Sequence, residues 1–116
     1  MSWHSVRVRF LDRERILARL REEVDRLKRA HPEVARVIVF GSFARGDAVP
    51  GSDLDVVLIL THSSVPFLER LGRYHLPAVE GVPVEVFPYT EEEWERMVAE
   101  EHPWARRVLK EGIELA

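Results

Sequence analysis

The chain has 116 residues, 46% of them hydrophobic and 32% charged, which is the composition of a single globular domain covering residues 1–116. It contains no cysteine, so disulfide bonds, thiolate metal sites and a cysteine nucleophile are excluded. Its net charge of −3 provides no basic field for a phosphate backbone, so nucleic acid is not expected as a stable partner. Without an apolar run of ~20 residues or an apolar N-terminal segment, the sequence predicts a cytoplasmic protein with no membrane contact.

The use of polar residues suggests a heat-adapted (thermophile) source. Asn, Gln and Cys, which are chemically labile at high temperature, are all absent, and 15 arginines accompany only 2 lysines. A GC-rich genome would produce part of the same bias. Composition therefore leaves thermal adaptation and genome composition as alternatives.

The first third of the chain is predicted to form a strand, a helix and a second strand. Alternating apolar and arginine residues over 6–10 favour a short strand. Apolar residues at helical spacing predict a helix over 11–30, with Asp12 as its N-cap. His31-Pro32 ends this helix, and the apolar run 34–40 is typical of a buried strand.

The remainder contains two more strands and three helices. After a turn over 41–48, the run 53–60 predicts a buried strand, 65–74 a short helix, and 82–87 a third strand. Pro83 favours an edge or near-edge position for that strand, because proline cannot donate to a ladder. Thr90 and Glu93 form a capping box that opens a helix, and Pro103 begins a last helix that ends at Gly112. This order predicts an α/β (α+β) fold with a small mixed β-sheet and helices packed on it.

The segment most indicative of chemistry begins with Gly41, directly after the first buried strand. Glycine lets a ligand approach the main chain closely, and the free N–H groups of the following turn favour anions. Ser42 can donate its hydroxyl to a phosphate oxygen. Arg45 lies on the same helical face three residues later and can add a charge-assisted bond.

Two acids follow at the start of the next strand. Asp53 and Asp55 are two residues apart, so both side chains leave the same face of the sheet. Paired carboxylates repel each other unless a cation lies between them, and Mg²⁺ suits such a site when a triphosphate supplies further oxygens. The alternative is that Asp53 caps a turn and Asp55 is simply exposed.

The run GSFARGDAVPGSDLDVV resembles the signature of the DNA polymerase beta-like nucleotidyltransferase superfamily. It is most similar to the bacterial minimal nucleotidyltransferases, whose GSxARG and SDxD blocks it matches at the usual spacing. The resemblance implies the nucleotidyltransferase fold. It also implies that Gly41, Ser42 and Ser52 bind the nucleotide with help from Arg45. The two aspartates of the SDxD block would then bridge two Mg²⁺ ions.

The family also has a third carboxylate, on a later strand, that completes one metal site and helps to activate the acceptor hydroxyl. Glu85 is the candidate here, on the strand face opposite Val84 and Val86. Glutamate is one methylene longer than the family's usual aspartate. The alternative for Glu85 is an exposed strand acid without a catalytic role.

The resemblance implies in-line transfer of a nucleoside monophosphate, AMP from ATP, onto an acceptor. Minimal nucleotidyltransferases pair with a small all-helical HEPN-type protein, often as antitoxin and toxin, which makes that partner the expected acceptor. The alternative is a catalytically degenerate nucleotide-binding module that acts by direct contact with its partner. Aromatic residues in the C-terminal half could contact such a partner or pack in the core: Phe87, Tyr89, Trp94 and Trp104.

Thermal adaptation predicts a melting temperature above the ~45–65 °C of mesophilic domains. Calorimetry of the purified chain measures it directly. A reversible melt inside the mesophilic range would leave genome composition as the explanation of the arginine bias.

Overall fold

The structure, a computed structural model, describes residues 12–116; the strand predicted over 6–10 and Leu11 lie outside this range. The elements in chain order are α1 (Arg13–Ala30), β1 (Val34–Phe40), α2 (Ser42–Arg45), β2 (Leu54–Leu60), α3 (Phe67–Arg73), β3 (Val84–Thr90), α4 (Glu91–Ala99), α5 (Pro103–Glu111) and β4 (Ile113–Glu114). The strands form one sheet in the order β3-β2-β1-β4, with β2 and β3 parallel and the other pairs antiparallel. The predicted mixed sheet with packed helices is confirmed.

Strand β2 is buried on both faces, which explains its continuous apolar run. On one face it meets α1, whose Leu20 and Val24 are fully buried. On the other face Val57 and Ile59 pack against α4 and α5 through the buried residues Trp94, Ala105 and Val108. Alternate residues of a strand share a face, so Asp55 lies on the α4/α5 side of the sheet.

Both predicted helix caps are present. The Asp12 carboxylate accepts a hydrogen bond from the Arg15 backbone N–H at 3.1 Å. Thr90 and Glu93 form the reciprocal capping box of α4. Within residues 12–116, no helix combines the length and apolarity needed to cross a membrane.

Strand β3 lies two to three residues later than predicted. Glu80 and Gly81 have φ angles of 48° and 78°, and this tight turn joins Val79 to Val82 in an isolated bridge. Val82 is thereby used in the turn, and pairing with β2 runs from Val84 to Thr90. The strand therefore contains Pro88 instead of Pro83. It tolerates this proline because β3 is an edge strand of the sheet, as predicted.

The two-residue strand β4 was not predicted. Ile113 and Glu114 pair with Val39 and Ile38 of β1 directly after α5 ends. A Cβ on Gly112 would lie 2.4 Å from the Val108 carbonyl oxygen and 2.6 Å from the Ile38 side chain. The absence of a side chain at Gly112 therefore allows α5 to pack closely against β1.

The buried guanidinium of Arg70 links three elements and is only 4% exposed. Its Nε donates to the Val65 carbonyl at 2.9 Å and its Nη1 to the Pro88 carbonyl at 3.1 Å. It also forms a two-bond ion pair with Glu93, at 2.6 and 3.1 Å. Hydrogen bonding from Arg70 lowers the pKa of Glu93, against the opposing effect of burial. This ion pair fastens α3 and α4 to the far end of β3.

We expect Arg70→Met to lower the free energy of unfolding by about 2–4 kcal/mol, because Glu93 and the Pro88 carbonyl lose a buried partner. A carboxylate whose pKa is lowered on folding stabilises the fold above its unfolded pKa of about 4.5 and ceases to do so as pH falls through the lowered value. The difference between variant and wild type should therefore narrow in urea titrations below pH 4.5.

The matched control is Arg96→Met, which breaks an exposed ion pair with Glu92. Its effect should stay below about 1 kcal/mol. Two results would contradict the role assigned to Arg70. One is an equal loss of unfolding free energy in Arg70→Met and Arg96→Met, and the other is a difference between Arg70→Met and wild type that does not change with pH.

Candidate functional site

Asp55 and Glu85 lie side by side because β2 and β3 pair in parallel and these two residues are register partners. Phe40, the last residue of β1, is the register partner of Asp55 on its other side. All three positions are on the sheet face that α4 and α5 cover. The structure therefore brings together two of the three predicted carboxylates, and Glu85 lies on the face predicted for it.

Asp53 completes the acidic group from the loop just before β2. The pKa of Asp55 is raised to about 6, first by burial, then by the charge and hydrogen bonding of Glu85, and then by the charge of Asp53. Arg45 acts in the opposite direction but does not cancel these effects. Glu85 and Asp53 are therefore each close enough to Asp55 to disfavour its charged form.

The donor chemistry of this group fits a divalent cation. Within residues 12–116, none of Asp53, Asp55 and Glu85 forms an ion pair with a basic side chain. Three carboxylates without a cationic partner are the oxygen-rich environment that Mg²⁺ prefers. The three are not already arranged around one point, because no three acidic or imidazole side chains of the described residues are placed to hold an ion. Asp53 and Glu85 are exposed, whereas Asp55 is partly buried.

The turn after β1 approaches Asp55 so closely that only glycine fits at its start. Gly41 has φ 78° and ψ −155°, a region that is essentially restricted to glycine. A Cβ at this position would lie 2.7 Å from Oδ2 of Asp55. The sequence predicted that a ligand approaches the main chain closely at Gly41. In the structure, the group that approaches Gly41 closely is the Asp55 carboxylate of the same chain.

Helix α2 is a single turn that begins at Ser42 and has no side-chain cap at its N-terminus. Arg13 of α1 anchors this helix with two hydrogen bonds. Its Nε donates to the Phe43 carbonyl at 2.7 Å and its Nη2 to the Ala44 carbonyl at 3.2 Å. Sequence reasoning missed Arg13, since nothing distinguishes it among 15 arginines.

Arg45 and Ser52 have partners within the chain. Arg45 is hydrogen-bonded to Asp47 and to Glu111, both at 3.3 Å. The Ser52 hydroxyl accepts from the Val49 N–H at 3.0 Å and closes the loop that precedes the acids. The predicted contacts of Arg45 and Ser52 with nucleotide remain predictions.

A cleft of about 300 Å³ lies between the β1–α2 turn and α5. From the turn and the sheet it is lined by Phe40, Gly41, Ser42, Arg45 and Asp55, and from α5 by Trp104, Arg107, Val108 and Glu111. A second cleft of about 340 Å³ lies at the other end of β2 and β3. Its walls include the Arg70–Glu93 ion pair, whose charges already satisfy each other. Asp55, together with Gly41 and Ser42, thus makes the first cleft the functional candidate.

The four predicted aromatic residues belong to the core that lies beside this cleft. Trp94 is only 3% exposed, and the rings of Phe87, Tyr89 and Trp104 are partly buried against it. The ring centre of Trp104 lies 5.6 Å from those of both Phe87 and Tyr89. Core packing is therefore sufficient to explain this cluster.

We expect Gly41→Ala to destabilise the fold more than Gly46→Ala. Gly46 also has a positive φ, 89°, but a Cβ there would meet nothing within 4 Å. Gly46→Ala should therefore show backbone strain alone, about 1–2 kcal/mol. Gly41→Ala adds a steric overlap with Asp55 to the backbone strain. It should lower the free energy of unfolding, measured in urea, by about 2–4 kcal/mol.

The double variant Gly41→Ala/Asp55→Ala, compared with Asp55→Ala alone, isolates the contact, because Asp55→Ala removes the atom that the new methyl group meets. It should recover part of the loss. Equal losses at Gly41 and Gly46, with no recovery in the double variant, would contradict the close approach.

Comparison with known proteins places this geometry in a family. A family model described as a nucleotidyltransferase domain matches residues 17–111. A Sulfolobus solfataricus protein of known structure, provisionally assigned as a nucleotidyltransferase, is similar over 83% of this chain and 82% of its own, with 22% identity and a TM-score of 0.57. That likeness shows the fold. No curated protein sequence matches the chain. Because the family match spans the glycine–serine turn and all three acids, the chain belongs to the nucleotidyltransferase domain family.

Proposed function

We propose that this chain is an active transferase that moves AMP from ATP to an acceptor hydroxyl, with Mg²⁺ held by Asp53, Asp55 and Glu85. The observation that carries the proposal is the in-register pairing of Asp55 with Glu85, directly beside the Gly41 turn. Asp55, which has no cationic partner among the described residues, lines a cleft that Ser42 also lines. A metal–triphosphate complex meets both requirements, since it brings cations for the acids and oxygens for the serine.

The positions of the residues support separate roles. Ser42 would donate to a phosphate oxygen, and Gly41 would leave room for that phosphate against the main chain. Asp53, Asp55 and Glu85 would hold the metal. Glu85, exposed at the open side, would accept the proton of the acceptor hydroxyl as its oxygen attacks the α-phosphorus and pyrophosphate leaves. Bound Mg²⁺ supplies charge neutralisation on the phosphates and a lower pKa for the acceptor oxygen.

The acceptor that we propose is a small all-helical HEPN-type protein, as in the minimal nucleotidyltransferases that this sequence resembles. Two of the three acids, Asp53 and Glu85, are exposed, so an acceptor can reach them from solvent. A transferase gains much of its rate from holding the acceptor in place. All elements of residues 12–116 pack on one sheet. A folded partner would therefore supply the surface that holds the acceptor hydroxyl against the nucleotide.

The alternative is a nucleotide-binding module that acts on its partner by contact alone. Two observations favour it: glutamate replaces the family's usual aspartate at position 85, and the acids of the described residues are not arranged in advance around an ion. The active transferase and the binding module predict different behaviour of the same variants, so one set of experiments distinguishes the two hypotheses.

We expect Asp55→Asn and Asp53→Asn to reduce nucleotide transfer by on the order of 100-fold or more, because electrostatic stabilisation of the reacting phosphate depends on the metal. Labelled ATP, Mg²⁺ and the co-purified partner form the assay, and EDTA should abolish transfer. The matched control is Asp25→Asn, which changes an exposed aspartate of α1 and should leave transfer unchanged.

Transfer that persists in the Asp55 variant would contradict the metal assignment. A wild-type complex that forms without any label transfer would favour the binding module. If the chain and an adjacent helical protein neither co-purify nor exchange label, a small-molecule acceptor becomes the better hypothesis.

A further inference from the structure

Two arginines line the cleft, and they differ in their partners. Arg45 is shared between Asp47 and Glu111. Arg107 lines the same cleft from α5, and within residues 12–116 it forms neither an ion pair nor a side-chain hydrogen bond. It is therefore the cation of the cleft that is available to a ligand.

Helix α5 presents one continuous face to the cleft. Its lining residues are spaced at i, i+3, i+4 and i+7, which is the spacing of a single helical stripe: Trp104, Arg107, Val108 and Glu111. Val108 and the neighbouring Ala105 are buried against the sheet, so this face is held in place by the core. The close packing at Gly112 fixes the end of the same helix beside β1.

We propose that Arg107 binds the polyphosphate of the nucleotide, so that α5 forms the second wall of the nucleotide site opposite Ser42; this inference rests on the proposed function. The cleft of about 300 Å³ is at the lower end of the ~300–1,000 Å³ range of ligand pockets. It therefore accommodates the triphosphate, with the nucleoside extending toward solvent. A planar guanidinium binds phosphate oxygens in pairs, which suits a group that carries several of them.

The test compares Arg107→Ala with Arg106→Ala, an exposed neighbour on the same helix that does not line the cleft. Calorimetry with excess Mg²⁺ measures the affinity for ATP and for AMP, and inorganic tripolyphosphate serves as a phosphate-only probe. Arg107→Ala should weaken ATP and tripolyphosphate about tenfold or more, and AMP much less, since AMP lacks the outer phosphates. Arg106→Ala should stay within about twofold of wild type for all three ligands. Melting temperatures of both variants should match wild type, because both side chains are exposed.

Three results would overturn the inference, and they are distinguishable from one another. If wild type binds ATP and Arg107→Ala binds it equally well, Arg107 has no role although the proposed function stands. If Arg107→Ala weakens ATP and AMP by the same factor, its effect is not exerted on the outer phosphates. If wild type binds neither ATP nor tripolyphosphate, the proposed function fails and the inference fails with it.

Discussion

The parallel, in-register pairing of β2 with β3 is the constraint on which the site depends. It makes Asp55 and Glu85 neighbours on one face of the sheet. A slip of one residue would move Glu85 to the opposite face, where β3 packs on the α1 layer. At the far end of β3, buried Arg70 joins α3 to Pro88 and to Glu93 of α4. The Arg70–Glu93 ion pair and the candidate acids thus lie near opposite ends of β3.

Two glycines set the distances between the walls of the cleft. Gly41 lets the turn after β1 approach Asp55, and Gly112 lets α5 approach β1. In both places a single added methyl group would overlap existing atoms, and packed interiors relax only partly around such overlaps. Arg13 then supports the turn from α1 through two carbonyl oxygens. These contacts fix the positions of the β1–α2 turn and of α5 on either side of the cleft.

Sequence predicted the local parts of this architecture better than the long-range ones. The caps at Asp12 and Thr90 follow from spacing within a few residues. Asp53, predicted at the start of β2, lies in the loop just before it, because the strand begins at Leu54. The start of β3 was misplaced because the turn at Glu80 and Gly81 uses Val82, and the partner strand then determines where pairing ends. Arg13, Arg70 and Arg107 were not distinguished, since an arginine has the same local pattern whether it is solvated, buried or in a cleft. Their roles arise from contacts between distant segments.

The most direct test of the site is a crystal structure of the chain with Mn²⁺ and a non-hydrolysable ATP analogue, using anomalous scattering to locate the metal. We expect a metal coordinated by carboxylate oxygens of Asp53 and Asp55. Glu85 should turn toward it, and the triphosphate should lie between Ser42 and α5. An analogue bound outside this cleft, or bound within it with no metal at Asp55, would contradict the assignment of the acids as the metal-binding centre of a transferase.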